Sequence, residues 1–183
     1  VPPGLYLENT LRVLSKELER ECDYTNEAQN QHWMRRLLQG NKSFYVPAVF
    51  DAQSTKHVLT TELVAGEPLE KFADASQEVR DSIGAMVMDL CLKELFEWKF
   101  MQVDPNFSNF LYDQHSGRIN LLDFGACLKF DEEFVDRYLK IIFAAANNDR
   151  ESILKYSIDM GFLTGLESDR MKNAHIDSVL YLG

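Results

Sequence analysis

Two acidic residues and one amide stand in two short clusters. Asp104 opens Asp104-Pro105-Asn106-Phe107-Ser108-Asn109, and Asp123 opens Asp123-Phe124-Gly125. These types suit chemistry at a phosphate. A hard divalent cation such as Mg²⁺ takes oxygen ligands in octahedral geometry, and Asp123 offers a charged oxygen while Asn109 offers a neutral one. Asp104 then stands where a carboxylate would orient or deprotonate a nucleophile facing a terminal phosphate. Gly125 relaxes the backbone at the turn. Taken singly, Asp104 and Asn109 are better explained by capping of an Asp-Pro-Asn turn. An isolated Asp-Phe-Gly triplet also carries little information; the ordered pattern carries more.

Positioning falls to the flanking elements. Leu11, Leu14 and Leu18 keep helical spacing, with Arg12, Lys16, Glu17, Glu19 and Arg20 on the other face, which predicts one long helix from Glu8 to about Gln39 stopped by Gly40. Two β-branched and aromatic runs, Tyr45 to Phe50 and His57 to Leu63, predict adjacent antiparallel strands around an Asp51 to Lys56 turn. Val64-Ala65-Gly66-Glu67-Pro68 reads as a connector and as the best domain boundary. Val79, Ile83, Met86, Val87, Leu90 and Cys91 predict a helix with a broad buried face. Strands are expected at Phe110 to Tyr112 and Ile119 to Phe124, joined by a turn through Asp113 to Gly117, and three helices after that. Helix, Asp-x-x-x-x-Asn, strand, turn, strand, Asp-Phe-Gly is the layout of a kinase catalytic loop and its metal-binding loop.

Composition narrows the classes. With 183 residues, 45% hydrophobic and 26% charged, the chain can bury a sizeable core. A net charge of -10 without any Lys/Arg block argues against nucleic-acid binding. Cys22, Cys91 and Cys127 are too scattered for a disulfide framework or zinc site. His32, His57, His115 and His175 lack ligand spacing and read as surface or packing residues. No apolar run is long enough to cross a bilayer, and any targeting segment is expected outside this sequence.

The sequence resembles the UbiB family of atypical kinase-like ATPases, its mitochondrial coenzyme Q branch in particular, over nearly its whole length. Glu21-Cys22-Asp23-Tyr24 matches the family's ExD motif, with Glu21 and Asp23 its acidic pair. Val58 to Val64 matches the strand leading to the hinge, and Asp104 through Asn109 the catalytic loop. Leu121 to Ala126 and Phe162-Leu163-Thr164-Gly165 complete the match. The resemblance implies an α+β kinase-like fold, with residues 1–63 as a partial small lobe and 64–183 as hinge and helical large lobe. It aligns Glu27 with the glutamate that pairs with the phosphate-holding lysine. That lysine, the Ala-rich loop and the KxGQ segment are expected upstream of Val1. Without the resemblance, Glu21, Asp23 and Glu27 read as a solvated helix face.

The resemblance also implies Mg²⁺ and ATP as cofactors, Asn109 and Asp123 on the metal, and Asp104 at the reacting phosphate. Adenine would meet the Glu62 carbonyl and the Val64 N–H, with Leu111 as an apolar floor. The implied role is support of coenzyme Q biosynthesis on the matrix face of the mitochondrial inner membrane. Partners would be biosynthetic proteins and lipid or quinone intermediates, with membrane association through segments outside this chain. An ordinary protein kinase is disfavoured, because few residues separate Gly125 from the helix expected near Asp131. ATP hydrolysis or transfer to a small molecule or lipid fits better. A nucleotide- or lipid-binding pseudokinase scaffold is the rival.

Overall fold

The computed structural model describes residues 11–12, 23–104 and 106–181. Packing divides the chain into two compact units, Val1–Cys91 with Phe100–Leu128, and Leu92–Lys99 with Lys129–Gly183. The connector expected as a lobe boundary therefore lies inside the first unit.

In the first unit, α1 spans Tyr24–Leu37. The expected uninterrupted helix is corrected here. Asp23 has φ −108° and ψ 88°, outside the helical region, and its carboxylate accepts the Thr25 N–H as an N-cap. The Tyr24 N–H turns instead to the Lys56 carbonyl at 3.1 Å. A short acidic side chain competes well for free amides at a helix start, so a new helix begins there despite the continuous apolar spacing. Residues 8–10 and 13–22, where the rest of that expectation falls, lie outside the described residues. Gly40, at φ +79°, ends the segment as expected.

A four-stranded sheet runs in the order β1-β5-β4-β2, with β1 Phe44–Tyr45, β2 Glu67–Pro68, β4 Phe110–Asp113 and β5 Arg118–Leu121. β1 pairs parallel with β5, while β4 pairs antiparallel with both β5 and β2. The runs at 45–50 and 57–63 do lie antiparallel, through the Val49 and Thr61 bridge, but do not extend into full strands. Pro47 has no N–H to give a ladder, and residues 51–53 coil into a 3-10 turn. The expected hairpin is borne out, with Gly117 at φ +69° in its turn, although its second strand stops at Leu121 and not at Phe124. Pro68 is tolerated because β2 is an edge strand. β3 (Phe100–Gln102) and β6 (Cys127–Lys129) form a separate pair that sequence patterning did not reveal. Met34, Phe44, Ile119 and Phe124 are among the most deeply buried side chains of this unit.

α2 (Gln77–Leu92) carries the apolar spacing foreseen, but fully buries only Ile83 and Leu90 and exposes Met88 and Leu92. It runs on into a π turn at Lys93–Glu97. In the second unit, α3 (Glu132–Ala146), α4 (Arg150–Asp159) and α5 (Asp169–Leu180) pack around Ile141, Ala144, Ala145, Ile153, Ile176 and Val179. Asp131, Asp149 and Ser168 cap their N-termini, each accepting an amide of the first turn. The Phe162 to Gly165 segment is a turn between α4 and α5. There Glu167 accepts the Thr164 N–H at 2.8 Å, the Thr164 hydroxyl at 2.7 Å and the Gly165 N–H at 2.9 Å. These donors hold its carboxyl down to about 2.

Candidate active site

The register of the β4/β5 hairpin brings two of the candidate residues together. Phe110 pairs with Leu121, and the Leu122 N–H donates to the Asn109 carbonyl at 3.0 Å, one step beyond the last ladder pair. Asn109 thus leaves the head of β4 as Asp123 leaves the end of β5. The Asn109 amide donates to Asp123 Oδ2 at 3.0 Å, and Asp123 Oδ1 accepts the Gly125 N–H at 2.9 Å. In this orientation the Asn109 Oδ1 remains as a second hard oxygen next to the carboxylate. The loop before it is shaped by Asn106, whose Oδ1 accepts the Ser108 N–H and hydroxyl at 3.1 and 2.8 Å. Turn capping by Asn106 and the Asn109–Asp123 pairing therefore coexist in this loop, on different residues.

α1 closes the other side. Glu27 is half-buried, and a methyl placed on Gly125 would stand 3.8 Å from its Oε2 and 3.4 Å from Asp123 Oδ1. Burial raises the Glu27 pKa, the Asp123 charge raises it further, and the Phe124 backbone hydrogen bond partly opposes both. Two carboxylates facing one another across a glycine form a site that favours a cation. Among the described residues, no group of three or more His, Cys, Asp or Glu side chains is arranged to hold a metal. A cation at Asp123 and Asn109 would take its other ligands from water or phosphate, the usual pattern for Mg²⁺. The donor set fits that ion.

Asp104 is exposed, with its N–H held by Gln102 Oε1 at 2.9 Å and its carbonyl accepting the Asn106 N–H at 2.8 Å. Two polar residues that sequence reading missed brace the same loops. Gln102, 8% exposed, donates from Nε2 to the Asp123 carbonyl at 3.2 Å, and Asn30 donates to the Phe124 carbonyl at 2.9 Å. Each had a signal in the sequence: Gln102 interrupts the apolar run Phe100-Met101-Gln102-Val103, and Asn30 follows Glu27 by one helical turn.

The hinge candidates are placed differently. The Glu62 carboxylate turns onto the Tyr45 hydroxyl at 2.7 Å and the Ala48 N–H at 3.0 Å, which, with Arg35 nearby, lowers its pKa. Its side chain is thus a latch for the 45–48 segment, leaving only its backbone for a ligand. Val64 is half-buried and Leu63 is 97% exposed. Gly66, at φ +126°, lets the connector pass so close to β4 that a Cβ would stand 3.1 Å from Leu111 Cβ. Asn120 donates to the Ala65 carbonyl at 2.7 Å and ties the connector to β5. Leu111 and the connector are therefore neighbours, two residues along the chain from Asn109. Of the ExD pair, Asp23 is the α1 cap and lies 3.9 Å from Lys56 Nζ; Glu21 lies outside the described residues.

A hairpin carrying an asparagine and an Asp-Phe-Gly at its open end, faced by a helix glutamate, is the arrangement of a kinase-like α+β fold. Comparison with known proteins gives the same class. The model of the ABC1 atypical kinase-like domain matches residues 1–157. The chain belongs to this family, the UbiB atypical kinases. It is 46% identical over its whole length to "Atypical kinase COQ8B, mitochondrial" of Danio rerio, covering 29% of that protein. It is also 42% identical over its whole length to "Atypical kinase COQ8, mitochondrial" of Saccharomyces cerevisiae, covering 36% of it. The chain thus spans about a third of the length of these relatives. Among solved structures, the Mycobacterium tuberculosis Rv3197–erythromycin complex matches with a TM-score of 0.70 at 25% identity, over 86% of this chain and 40% of that one.

Proposed function

We propose that the chain forms the cation- and phosphate-binding part of a mitochondrial atypical kinase that binds Mg-ATP and supports coenzyme Q biosynthesis. It would act by slow hydrolysis or by phosphoryl transfer to a small molecule or lipid. The observation that carries this reading is the convergence of Asn109 and Asp123 at 3.0 Å, with Glu27 across Gly125. The COQ8 relatives are named as mitochondrial atypical kinases. The coenzyme Q role and the matrix face of the inner membrane rest on the UbiB resemblance.

Bound Mg-ATP supplies the reacting phosphoryl group and the charge that the site is built to meet. Asp123 and Asn109 would hold the cation, with a carboxylate and an amide oxygen as its protein donors. Asp104, exposed at the loop head, orients the nucleophile and takes up its proton. Glu27 holds the place opposite Asp123 where the phosphate-binding lysine would pair. The backbone of Glu62 and Val64 would receive the adenine edge, with Leu111 as its apolar floor. Only residues 126–131 lie between the Asp-Phe-Gly and α3, and β6 occupies half of them. That leaves no room for a long activation loop and favours a small or lipid acceptor over a protein.

The test uses the full-length protein and measures Mg-ATP affinity and phosphate release together. Asp104→Asn should lower turnover by about 100-fold or more, as removal of a general base does, while affinity stays within a few-fold. Tight nucleotide binding with release no higher than in this variant would support the scaffold reading in place of the enzyme.

A further inference from the structure

We propose that Gln102 is a positioning residue that locks the Asp104 loop to the Asp123 loop, and that the lock needs a neutral carboxamide that donates and accepts at once. The inference rests on the reading of Asp104 and Asp123 given above. Gln102 ends β3 at 8% exposure, with both halves of its amide engaged. Nε2 donates to the carbonyl of Asp123 at 3.2 Å, and Oε1 accepts the N–H of Asp104 at 2.9 Å. Turned over, the amide would set oxygen against the Asp123 carbonyl and NH₂ against the Asp104 N–H, so its partners fix its orientation. One side chain therefore spans the two segments whose acids must converge on the phosphate.

The chemistry is selective. Methionine fills nearly the same volume but makes neither bond. An ionised glutamate accepts from Asp104 but cannot donate to Asp123, whereas a protonated one does both. Both residues that Gln102 bonds, Asp104 and Asp123, are acidic, so an added negative charge here would also meet repulsion, and a neutral group avoids it. The metal loop does not rely on Gln102 alone, since Gly125 and Asn109 bond the Asp123 carboxylate and Asn30 bonds the Phe124 carbonyl. Loss of Gln102 should leave cation and nucleotide binding largely in place and shift Asp104 relative to them. Displacements on the order of 1 Å at a reacting centre cost roughly 100-fold in rate.

Three proteins decide it, all full-length: wild type, Gln102→Met and Gln102→Glu. Gln102→Met should lose about 10- to 100-fold in kcat with Mg-ATP affinity changed by less than about 3-fold. Gln102→Glu, which keeps the acceptor for Asp104 and loses the donor to Asp123, should also lose at least about 10-fold in kcat. Without nucleotide, amide exchange in the peptide spanning 100–104 should speed up in Gln102→Met and stay near wild type in Gln102→Glu, which keeps the acceptor. If Gln102→Met does not fold, kcat and exchange of Gln102→Glu decide alone. Wild-type kcat in Gln102→Met or in Gln102→Glu overturns the inference. A wild-type protein that binds no Mg-ATP overturns the parent reading and this inference with it; normal wild-type binding with indifferent Gln102 variants overturns the inference only.

Discussion

Asp123→Asn separates the proposed metal role of Asp123 from its structural one. In the fold, Oδ1 accepts the Gly125 N–H and Oδ2 accepts the Asn109 amide. An asparagine keeps the first acceptor, and a flip of the Asn109 amide restores a donor–acceptor pair at the second. Charge-assisted bonds become neutral ones, at a cost of about 1 kcal/mol. Removing the repulsion with Glu27 works in the opposite sense, so the net change in stability should be small. The effect on a cation is larger. A unit charge pair at 4 Å is worth about 4 kcal/mol at an effective dielectric of 20, and a divalent ion about doubles that. After more than half is cancelled by desolvation and by water entering the ligand position, roughly 3 kcal/mol remains, about 100-fold in affinity. Calorimetric titration of the full-length protein with ATP, with and without Mg²⁺, should show the Mg²⁺-dependent part of the affinity lost and the Mg²⁺-independent part kept. An unchanged Mg²⁺ dependence in a folded Asp123→Asn protein would refute the metal assignment.

Two further outcomes test the structure around the site. Gly66→Ala forces a side chain into φ +126° and against Leu111 and Tyr112 at 3.1 Å, so denaturant unfolding should report a loss of roughly 1–3 kcal/mol; an unchanged midpoint would mean that the connector does not pack on β4 as described. Glu167 has a carboxyl pKa lowered from 4.5 to about 2, so its stabilising contribution is complete above the unfolded value and is lost as pH falls through that window. Glu167→Gln should therefore be less stable than wild type at neutral pH, with a gap that narrows progressively below about pH 4.5 in denaturant titrations. A gap independent of pH would show that the carboxylate does not latch the Thr164 turn.

The candidate site was legible in the sequence because it depends on residue type and local order. Asp-x-x-x-x-Asn, a hairpin turn at Asp113 to Gly117 and Asp-Phe-Gly fix which groups meet, since a short antiparallel hairpin has one register that suits its turn. The helices from α2 onward were legible for a similar reason, namely apolar spacing at 3.6 residues with acidic or hydroxyl caps. The start of α1 at Asp23 was not: the leucine and charge spacing runs on through it unbroken, and only a side-chain cap and the Lys56 carbonyl, which take the local amides, mark it. Nor were β2, β3 and β6, which are two or three residues long and owe their pairing to tertiary neighbours.

By itself, the sequence determined that two carboxylates and an amide would ride on adjoining loops and that a kinase-like family was the place to look. Tertiary structure decided how those loops are held: by Gln102 and Asn30, whose contacts lie up to 94 residues away in the chain, and by α1, which sets Glu27 against Asp123. Side-chain type is written locally, but the partner of a buried amide is chosen only when distant segments pack and every polar group removed from water must find a complement.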